Sequence, residues 1–425
     1  MTRNRNSTFD LVVVGLGYAG LPLVSAACEA GWRVAGFDID SDRVAALVGG
    51  RPVGETTAEN VAAMLHSGFV PTTNVDVLGD AAAVAICVPT PITDDRQPDL
   101  ASLLDAITEV AARLRPGTLV LVESTTYPGT TSEILQPLLE ASGLRAGSDF
   151  HLAFAPERID PGNRLPLRSI PRVVGGVTSA CTTAAVAFYS KLVDRVVAAR
   201  GAPEAEMSKL VENIYRQVNI ALVNELAVVS RALGVDLWDA ISCAASKPYG
   251  FQPFWPGPGV GGHCIPVDPH YLAYKVRTTG GTLRMVELAD DINRGMPQHV
   301  VGRVSELLNR VGRPVRGSTV LLLGVSYKPD VSDVRGTPAL PVARLLSELG
   351  AVLHYHDPLV TDWQVDGKPV DSVVDVQEAV RTHDLVVLLQ RHTAYGDDLL
   401  ADCQLLFDSS GAARSLASEV YEREC

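Results

Sequence analysis

Residues 11–20 read LVVVGLGYAG, and the fold is decided there. Leu11 to Gly15 is a short apolar, β-branched run of the kind that fills a parallel strand buried on both faces. The glycines follow at once in GxGxxG spacing, each with its own task. Gly15 makes the tight turn, Gly17 lets a pyrophosphate lie against the backbone, and Gly20 lets the next helix, Leu21 to Ala30, pack on the strand, with Tyr18 and Ala19 in the same cradling turn. A second strand, Trp32 to Phe37, ends in Asp38, placed to accept both hydroxyls of an adenosine ribose. Strand, glycines, helix, strand and acid together specify a dinucleotide site, which GxGxxG alone would not. Asp38 would repel a 2′-phosphate, so NAD is expected over NADP, although Arg43 nearby works against that preference. The alternative for Asp38 is a strand-end carboxylate facing water.

Strand and helix keep alternating downstream: Ala83 to Val88, a helix from Leu100 to Leu114, Thr118 to Glu123, a helix from Thr131 to Ala141, and Phe150 to Phe154. That spacing predicts a doubly wound parallel sheet, with ligands held by loops after the strand ends. The loops are CVPTP (87–91), ESTTYPGTT (123–131) and APERIDPGN (155–163), so Thr90, Ser124 and Thr125 are candidates to line the cofactor cleft. Hydroxyls in turns equally often bond their own backbone.

Composition bounds the remainder. The chain has 425 residues, 47% of them hydrophobic and 20% charged, enough to bury two or three cores. A formal net charge of −13 argues against nucleic acid as a partner, because phosphate backbones need a basic footprint. Seven scattered cysteines with no CxxC argue against a disulfide framework or structural zinc and suit a reducing cytoplasm. No apolar run reaches membrane-spanning length, and no membrane partner is expected.

Between Pro203 and Ala232 the pattern becomes that of one long helix, with Lys209, Asn213, Arg216, Ile220 and Asn224 on one stripe; a lysine aligned with asparagines suits a ligand-facing surface better than a solvated one. A further helical stretch runs from Val286 to Leu308. Between them lies PGPGVGGHCIPVDPHY (256–271), where glycines and prolines lead into His263 and Cys264, and Asp268 follows four residues later. A lone cysteine is more often a small buried hydrophobe. Here the imidazole and the carboxylate suit a thiolate poised for covalent catalysis. After Gly317 a second strand–helix series begins with STVLLLG (318–324), then a helix near Pro341 to Glu348 and strands at Val352 to His356, Leu385 to Leu389 and Leu405 to Phe407. In place of glycine spacing it carries GVSYKPDVSDVRGTP (324–338), where Lys328 and Arg335 suggest an anion site, or alternatively a solvated loop with internal salt bridges.

Four stretches in this order, GLGYAGLPL, KLVENIYRQVNIALVNELA, GPGVGGHCIPVDP and GVSYKPDVSDVRGTPAL, resemble the UDP-glucose/GDP-mannose dehydrogenase family over nearly the whole chain. The resemblance implies two Rossmann-like doubly wound α/β domains joined by a central helical domain. The boundaries are 1–200 for NAD, 201–310 for dimerisation and the cysteine, and 311–425 for the nucleotide sugar. It implies oxidation of a UDP-sugar's primary alcohol to a carboxylate with two NAD, in a homodimer or higher homo-oligomer. Cys264 is then the nucleophile and Asp268 its supporting base, while Lys209 with Asn213 steadies the oxygen on the reacting carbon and Glu157 helps activate the hydrolytic water. Phe251, Phe254, Gly261, His263, Lys328 and Arg335 fall to the substrate. CIPVD with Val267, where the UDP-glucose branch has CxPKD, and PERIDPGN, where it has PEFL, resemble the enzymes of N-acetylated sugars, UDP-N-acetylglucosamine above all. Two competing readings remain. His263, Cys264, Asp268 and His270 are all possible zinc ligands, and the chain could instead be a non-catalytic sensor of nucleotide sugars.

Overall fold

A computed structural model describes residues 7–160, 162, 165–411 and 421–423, so Pro161 and Asn163 of the PERIDPGN loop lie outside the described residues. The chain forms two compact units. One comprises the residues through Glu212 together with His270–Gly281; the other comprises Asn213–Pro269 and the residues from Thr282 on. The central stretch 201–310 is therefore shared between the two.

In the first unit the strands are β1 (Leu11–Val14), β2 (Val34–Phe37), β3 (Val70–Thr72), β4 (Ala83–Ile86), β5 (Leu119–Val122), β6 (His151–Phe154), β7 (Arg172–Gly176) and β8 (Val196–Ala198). They form one sheet in the order β3-β2-β1-β4-β5-β6-β7-β8. Its helices include α1 (Gly20–Glu29), α2 (Ser41–Val48), α3 (Ala101–Arg113) and α4 (Ser179–Tyr189). Both faces are covered, which is why β1 is apolar throughout. Leu11 and Val13 pack with Leu21, Leu23 and Val24 of α1, whereas Val12 and Val14 pack with Leu103, Ile107 and Val110 of α3.

Two local features differ from the sequence reading. The sheet is not wholly parallel, because β7 runs antiparallel to β6. A parallel neighbour needs a long crossover, usually a helix. The connection from Ala155 to Pro171 holds four prolines, at 156, 161, 166 and 171, and its described part contains one short turn of helix and no crossover helix. The second is the expected helix from Thr131, which opens as a π-helix, Thr131–Leu135, and turns α only over Gln136–Glu140. Pro137 has no N–H to give the Glu133 carbonyl, which favours the wider turn.

The second unit holds strands β9 (Thr319–Leu323), β10 (Val352–His356), β11 (Asp371–Ser372), β12 (Leu385–Leu388), β13 (Leu406–Asp408) and β14 (Tyr421–Arg423), in the order β11-β10-β9-β12-β13-β14 and parallel at every pairing. The long helix α5 (Ala202–Ser230) contributes its residues from Asn213 on, and α6 (Leu237–Ala245) packs on it through Trp238 and Ile241 against Val223, Ala227 and Met296. Helix α7 (Asp268–Thr278) begins four residues after Cys264, and α8 (Arg284–Arg310) follows. The last three turns of α8 join the sheet core. Val300, Val304, Leu307 and Leu308 lie against Val320 and Leu322 of β9 and against Val342 and Leu346 of α9 (Ala339–Glu348). Among the described residues no helix is long and apolar enough to cross a membrane.

The glycine turn leaves little latitude. Gly15 has φ +90°, and a Cβ there would stand 2.6 Å from the Cys87 carbonyl oxygen; at Gly20 it would stand 1.9 Å from the Gly15 carbonyl oxygen. Gly20→Ala should therefore lower the unfolding free energy by about 1–3 kcal/mol, as overpacking does. Urea denaturation followed by circular dichroism checks this, and an unchanged midpoint would contradict the close helix–strand approach.

Candidate active site

In the first unit the dinucleotide cradle is built from the C-terminal ends of β1, β2, β4 and β5. A Cβ at Gly17 would meet no protein atom within 4 Å, so the backbone there is open to a pyrophosphate, as the motif requires. Asp38 is 4% exposed and fixed on both oxygens: Oδ2 accepts from Leu16 N at 2.7 Å and Arg43 Nη1 at 2.8 Å, while Oδ1 accepts from Asp40 N at 2.9 Å. Arg43 thus partners Asp38 directly. Thr90 is buried and Thr125 half-buried. Ser124 donates to Val88 O at 2.7 Å and ties the ends of β4 and β5 together.

A buried polar network supports the loops after β5 and β6. Arg172 lies between Glu123 and Glu157, bonding Glu157 Oε2 at 2.9 Å and pairing with Glu123, and its guanidinium sits 4.8 Å over the Tyr189 ring. Tyr189 donates to Glu123 Oε1 at 2.5 Å. Burial opposes a charge on Arg172, yet Glu123 and the other acids hold its pKa above the ordinary value, so the guanidinium is a permanent cation flanked by two carboxylates. The second oxygen of Glu157 caps its own loop, accepting from Arg158 N and Ile159 N at 2.6 and 2.7 Å, and its backbone oxygen accepts from Lys209 Nζ at 2.6 Å. Lys209 therefore depends on the 156–159 loop for its position.

One turn before Lys209, Glu206 is fully buried and takes hydrogen bonds from Thr126 Oγ1, Gly129 N, Thr131 N and Thr131 Oγ1 at 2.6–3.2 Å. The start of α5 is thereby clamped to the ESTTYPGTT loop. Sequence reading passed over Glu206, Glu123 and Arg172. Only their sites in otherwise apolar contexts, a carboxylate closing β5 and an arginine opening β7, could have marked them. On α5 the buried polar positions are Glu206, Lys209, Asn213, Gln217 and Asn224, so Arg216 falls outside the seam.

In the second unit the cysteine turn closes through Cys264 O, which accepts from Val267 N at 3.1 Å and Asp268 N at 2.8 Å. Cys264 is exposed, and Asp268 is buried with Oδ2 accepting from Asn213 Nδ2 at 2.5 Å. Asn224 anchors the approach to the turn, accepting from Gly257 N and donating to Asn293 Oδ1. The GVSYKPDVSDVRGTP loop lies directly on this turn. Gly262 N donates to Arg335 O at 3.1 Å, and a Cβ at Gly261 or Gly262 would come within 2.8–2.9 Å of Tyr327. The glycines are thus required by the neighbouring loop. Arg335 forks onto Asp333, with Nη2 2.7 Å from Oδ2. Burial and the Arg335 charge push the His263 pKa down, which keeps the imidazole neutral at physiological pH. Lys328 is half-buried in the same loop. Phe251 is exposed, and Phe254 stacks edge-on against Tyr215 at 5.7 Å on the helical core. Among the described residues no three His, Cys, Asp or Glu side chains are gathered as a metal ion would need.

A glycine turn open at Gly17, with buried Asp38 closing the next strand, defines the cofactor cradle of a dinucleotide-dependent enzyme. The sequence matches the UDP-glucose/GDP-mannose dehydrogenase family along its length: the NAD binding domain at residues 9–193, the central domain at 203–295 and the UDP binding domain at 321–413. The chain belongs to that family and is an NAD-dependent oxidoreductase of nucleotide sugars. It is 37% identical over 358 residues to a UDP-N-acetyl-D-glucosamine 6-dehydrogenase of Pseudomonas aeruginosa, covering 83% of each chain. Among solved structures it superposes on the UDP-N-acetyl-mannosamine dehydrogenase of Pyrococcus horikoshii with TM-score 0.85 at 31% identity, covering 94% of this chain and 95% of that one. It also superposes on a UDP-glucose dehydrogenase of Pyrobaculum islandicum with TM-score 0.87 at 27% identity, covering 100% and 99%.

Removing Arg172 would leave two carboxylates facing each other in a buried site. Arg172→Met should destabilise by about 3–5 kcal/mol at neutral pH. Burial already holds the Glu123 carboxyl above its ordinary pKa, and loss of the guanidinium, which opposes that shift, raises it further. The deficit should then be smallest at acid pH, where Glu123 is protonated, and grow as pH rises. Urea midpoints of the wild type and the variant from pH 4 to 8 check the sign.

Proposed function

We propose that this protein oxidises the C6 primary alcohol of a 2-acetamido UDP-sugar, UDP-N-acetylglucosamine above all, to the uronic acid, using two NAD per sugar. What carries the reading is the exposed Cys264 at the head of a turn whose buried Asp268 is bonded to Asn213, in a chain of this family. NAD, when bound, accepts hydride from the sugar carbon in each of two oxidations. After the first, the Cys264 thiolate adds to the aldehyde carbon, and the new oxyanion takes its stabilisation from Lys209 and Asn213. The second oxidation leaves a thioester on Cys264. Water adds to its carbonyl, and the carboxylate departs as the thiol is restored. Asp268 holds a proton-accepting position beside that turn, and Glu157 is the group assigned to the hydrolytic water. Lys328 is assigned to the diphosphate.

Support for the acetamido group comes from Val267 in the cysteine turn and from relatives of both N-acetylated kinds, the second being a UDP-N-acetyl-D-mannosamine dehydrogenase of Pyrococcus horikoshii at 35% identity. The enzyme works as a homodimer in the cytoplasm, where the thiol stays reduced. The surface offered to a second copy is the apolar face of α5, where Tyr215, Leu222, Leu226 and Val229 are each 41–51% exposed.

Cys264→Ala should lose acid formation by roughly 10³-fold or more while still binding the UDP-sugar; near-normal carboxylate yield would remove the covalent mechanism. In side-by-side kinetics, kcat/KM for UDP-N-acetylglucosamine should exceed that for UDP-glucose by a factor on the order of 10², since unpaired polar groups penalise the smaller substituent. UDP-N-acetylmannosamine completes the panel. A preference for it would revise the C2 stereochemistry, and a preference for UDP-glucose would end the acetamido assignment.

A further inference from the structure

We infer that His392 is a positioning residue for the substrate, one that latches, with Asp330, the turn presenting Lys328 and so sets how tightly UDP is held; this rests on the assignment of Lys328 to the diphosphate. The turn after β9 already constrains the lysine locally. Pro329 restricts the backbone of Lys328 to extended conformations, and the Ser326 hydroxyl donates to Lys328 O at 2.9 Å. Asp330 then takes φ +59°, in the left-handed region. Aspartate tolerates that region better than most side chains, but at a cost that the surroundings must offset. Strain two residues from the group assigned to the ligand marks a backbone held in one geometry.

The segment after β12 does the holding. Asp330 gives its N–H to His392 Nδ1 at 2.9 Å, and its Oδ1 accepts from Thr393 N at 2.8 Å and Thr393 Oγ1 at 3.0 Å. On the other side of Lys328, Gln390 Nε2 donates to Tyr327 O at 3.3 Å, so both flanks of the lysine are tied to residues 390–393. The two loops approach so closely that a Cβ at Gly324 would stand 2.2 Å from Gln390 O. His392 is the fully buried member of the latch. Because its Nδ1 accepts, the ring hydrogen sits on Nε2, which faces Asp357 Oδ2 at 3.0 Å and Ser326 Oγ at 3.3 Å. Burial raises the Asp357 pKa, but hydrogen bonds from His392, Leu359 N and Ser326 N outweigh it and hold the value below the ordinary one. The Asp357 carboxylate therefore selects the imidazole tautomer whose Nδ1 can take the Asp330 amide.

The test reads binding of UDP by titration calorimetry, since UDP carries the diphosphate and leaves out the sugar and the cysteine chemistry. An asparagine amide can stand where the histidine Nδ1 does, and a glutamine amide where Nε2 does. His392→Asn, which can still accept the Asp330 N–H, should keep a Kd near that of the wild type. His392→Gln, which keeps a donor for Asp357 and leaves the Asp330 amide unpaired, should raise it roughly tenfold. Asp330→Gly and Asp330→Asn repeat the comparison at an exposed position, where each removes the same charge and each suits positive φ. Only asparagine keeps an oxygen for Thr393, so the glycine variant should weaken UDP and the asparagine variant should not. Should the buried His392 variants fail to fold, the Asp330 pair decides alone. A purely structural role would lower urea midpoints and leave the UDP Kd of the folded variants unchanged, and that result overturns the inference. So does equal weakening of UDP within either pair, or a loss of NADH affinity that matches the loss for UDP. Failure of the underlying assignment would appear separately, as Lys328→Met binding UDP as tightly as the wild type.

Discussion

In each sheet a buried aspartate at the end of the second strand of the strand–helix series holds the loop that follows the first. Asp38, after β2, accepts the amide of Leu16 in the glycine turn; Asp357, after β10, accepts the amides of Val325 and Ser326 after β9. A carboxylate that takes several backbone N–H groups is a strong anchor in a site closed to water. The two domains then part company. Asp38 shares its anchor with an arginine, at the edge of a turn left open at Gly17. Asp357 is consumed: buried His392 bonds it through Nε2 at 3.0 Å and accepts the Asp330 amide on Nδ1, which ties down the 324–338 loop. That stiffness is what lets the loop serve as a wall for the cysteine turn.

The first unit solves a related problem with buried charge. Loops after β5 and β6 have no regular secondary structure of their own. Arg172 joins the base of one to the tip of the other, and Glu206 pins the first to the start of α5. Lys209, one turn along α5, bonds the second loop. These groups stabilise little in net terms, because desolvation offsets their attraction, but a partly satisfied arrangement would be costly, which selects one geometry.

The alternation of strands and helices, the glycine turn and the cysteine turn were legible because each depends on local chemistry: period, positive φ and chain stiffness act over a few residues. Glu206 was not legible. A glutamate in the first turn of a helix ordinarily faces water near the positive end of the dipole, and only the approach of the 126–131 loop makes this one a buried hub. Arg216 was misplaced for a similar reason. A shift of one residue along a helix turns the face by about 100°, and which face is buried depends on what packs there.

The sequence by itself determined the two α/β series, the cofactor turn, the thiol and its neighbouring acid, since those rest on residues close in the chain. Tertiary structure alone decided that β7 turns back antiparallel, that Arg172 links two loops, and that the backbone of Arg335 bonds the cysteine turn. Arg335 and Gly262 are more than seventy residues apart, and no local propensity relates them. They meet because the loop after β9 is held rigid by Asp357 and His392, and because glycine alone permits the approach.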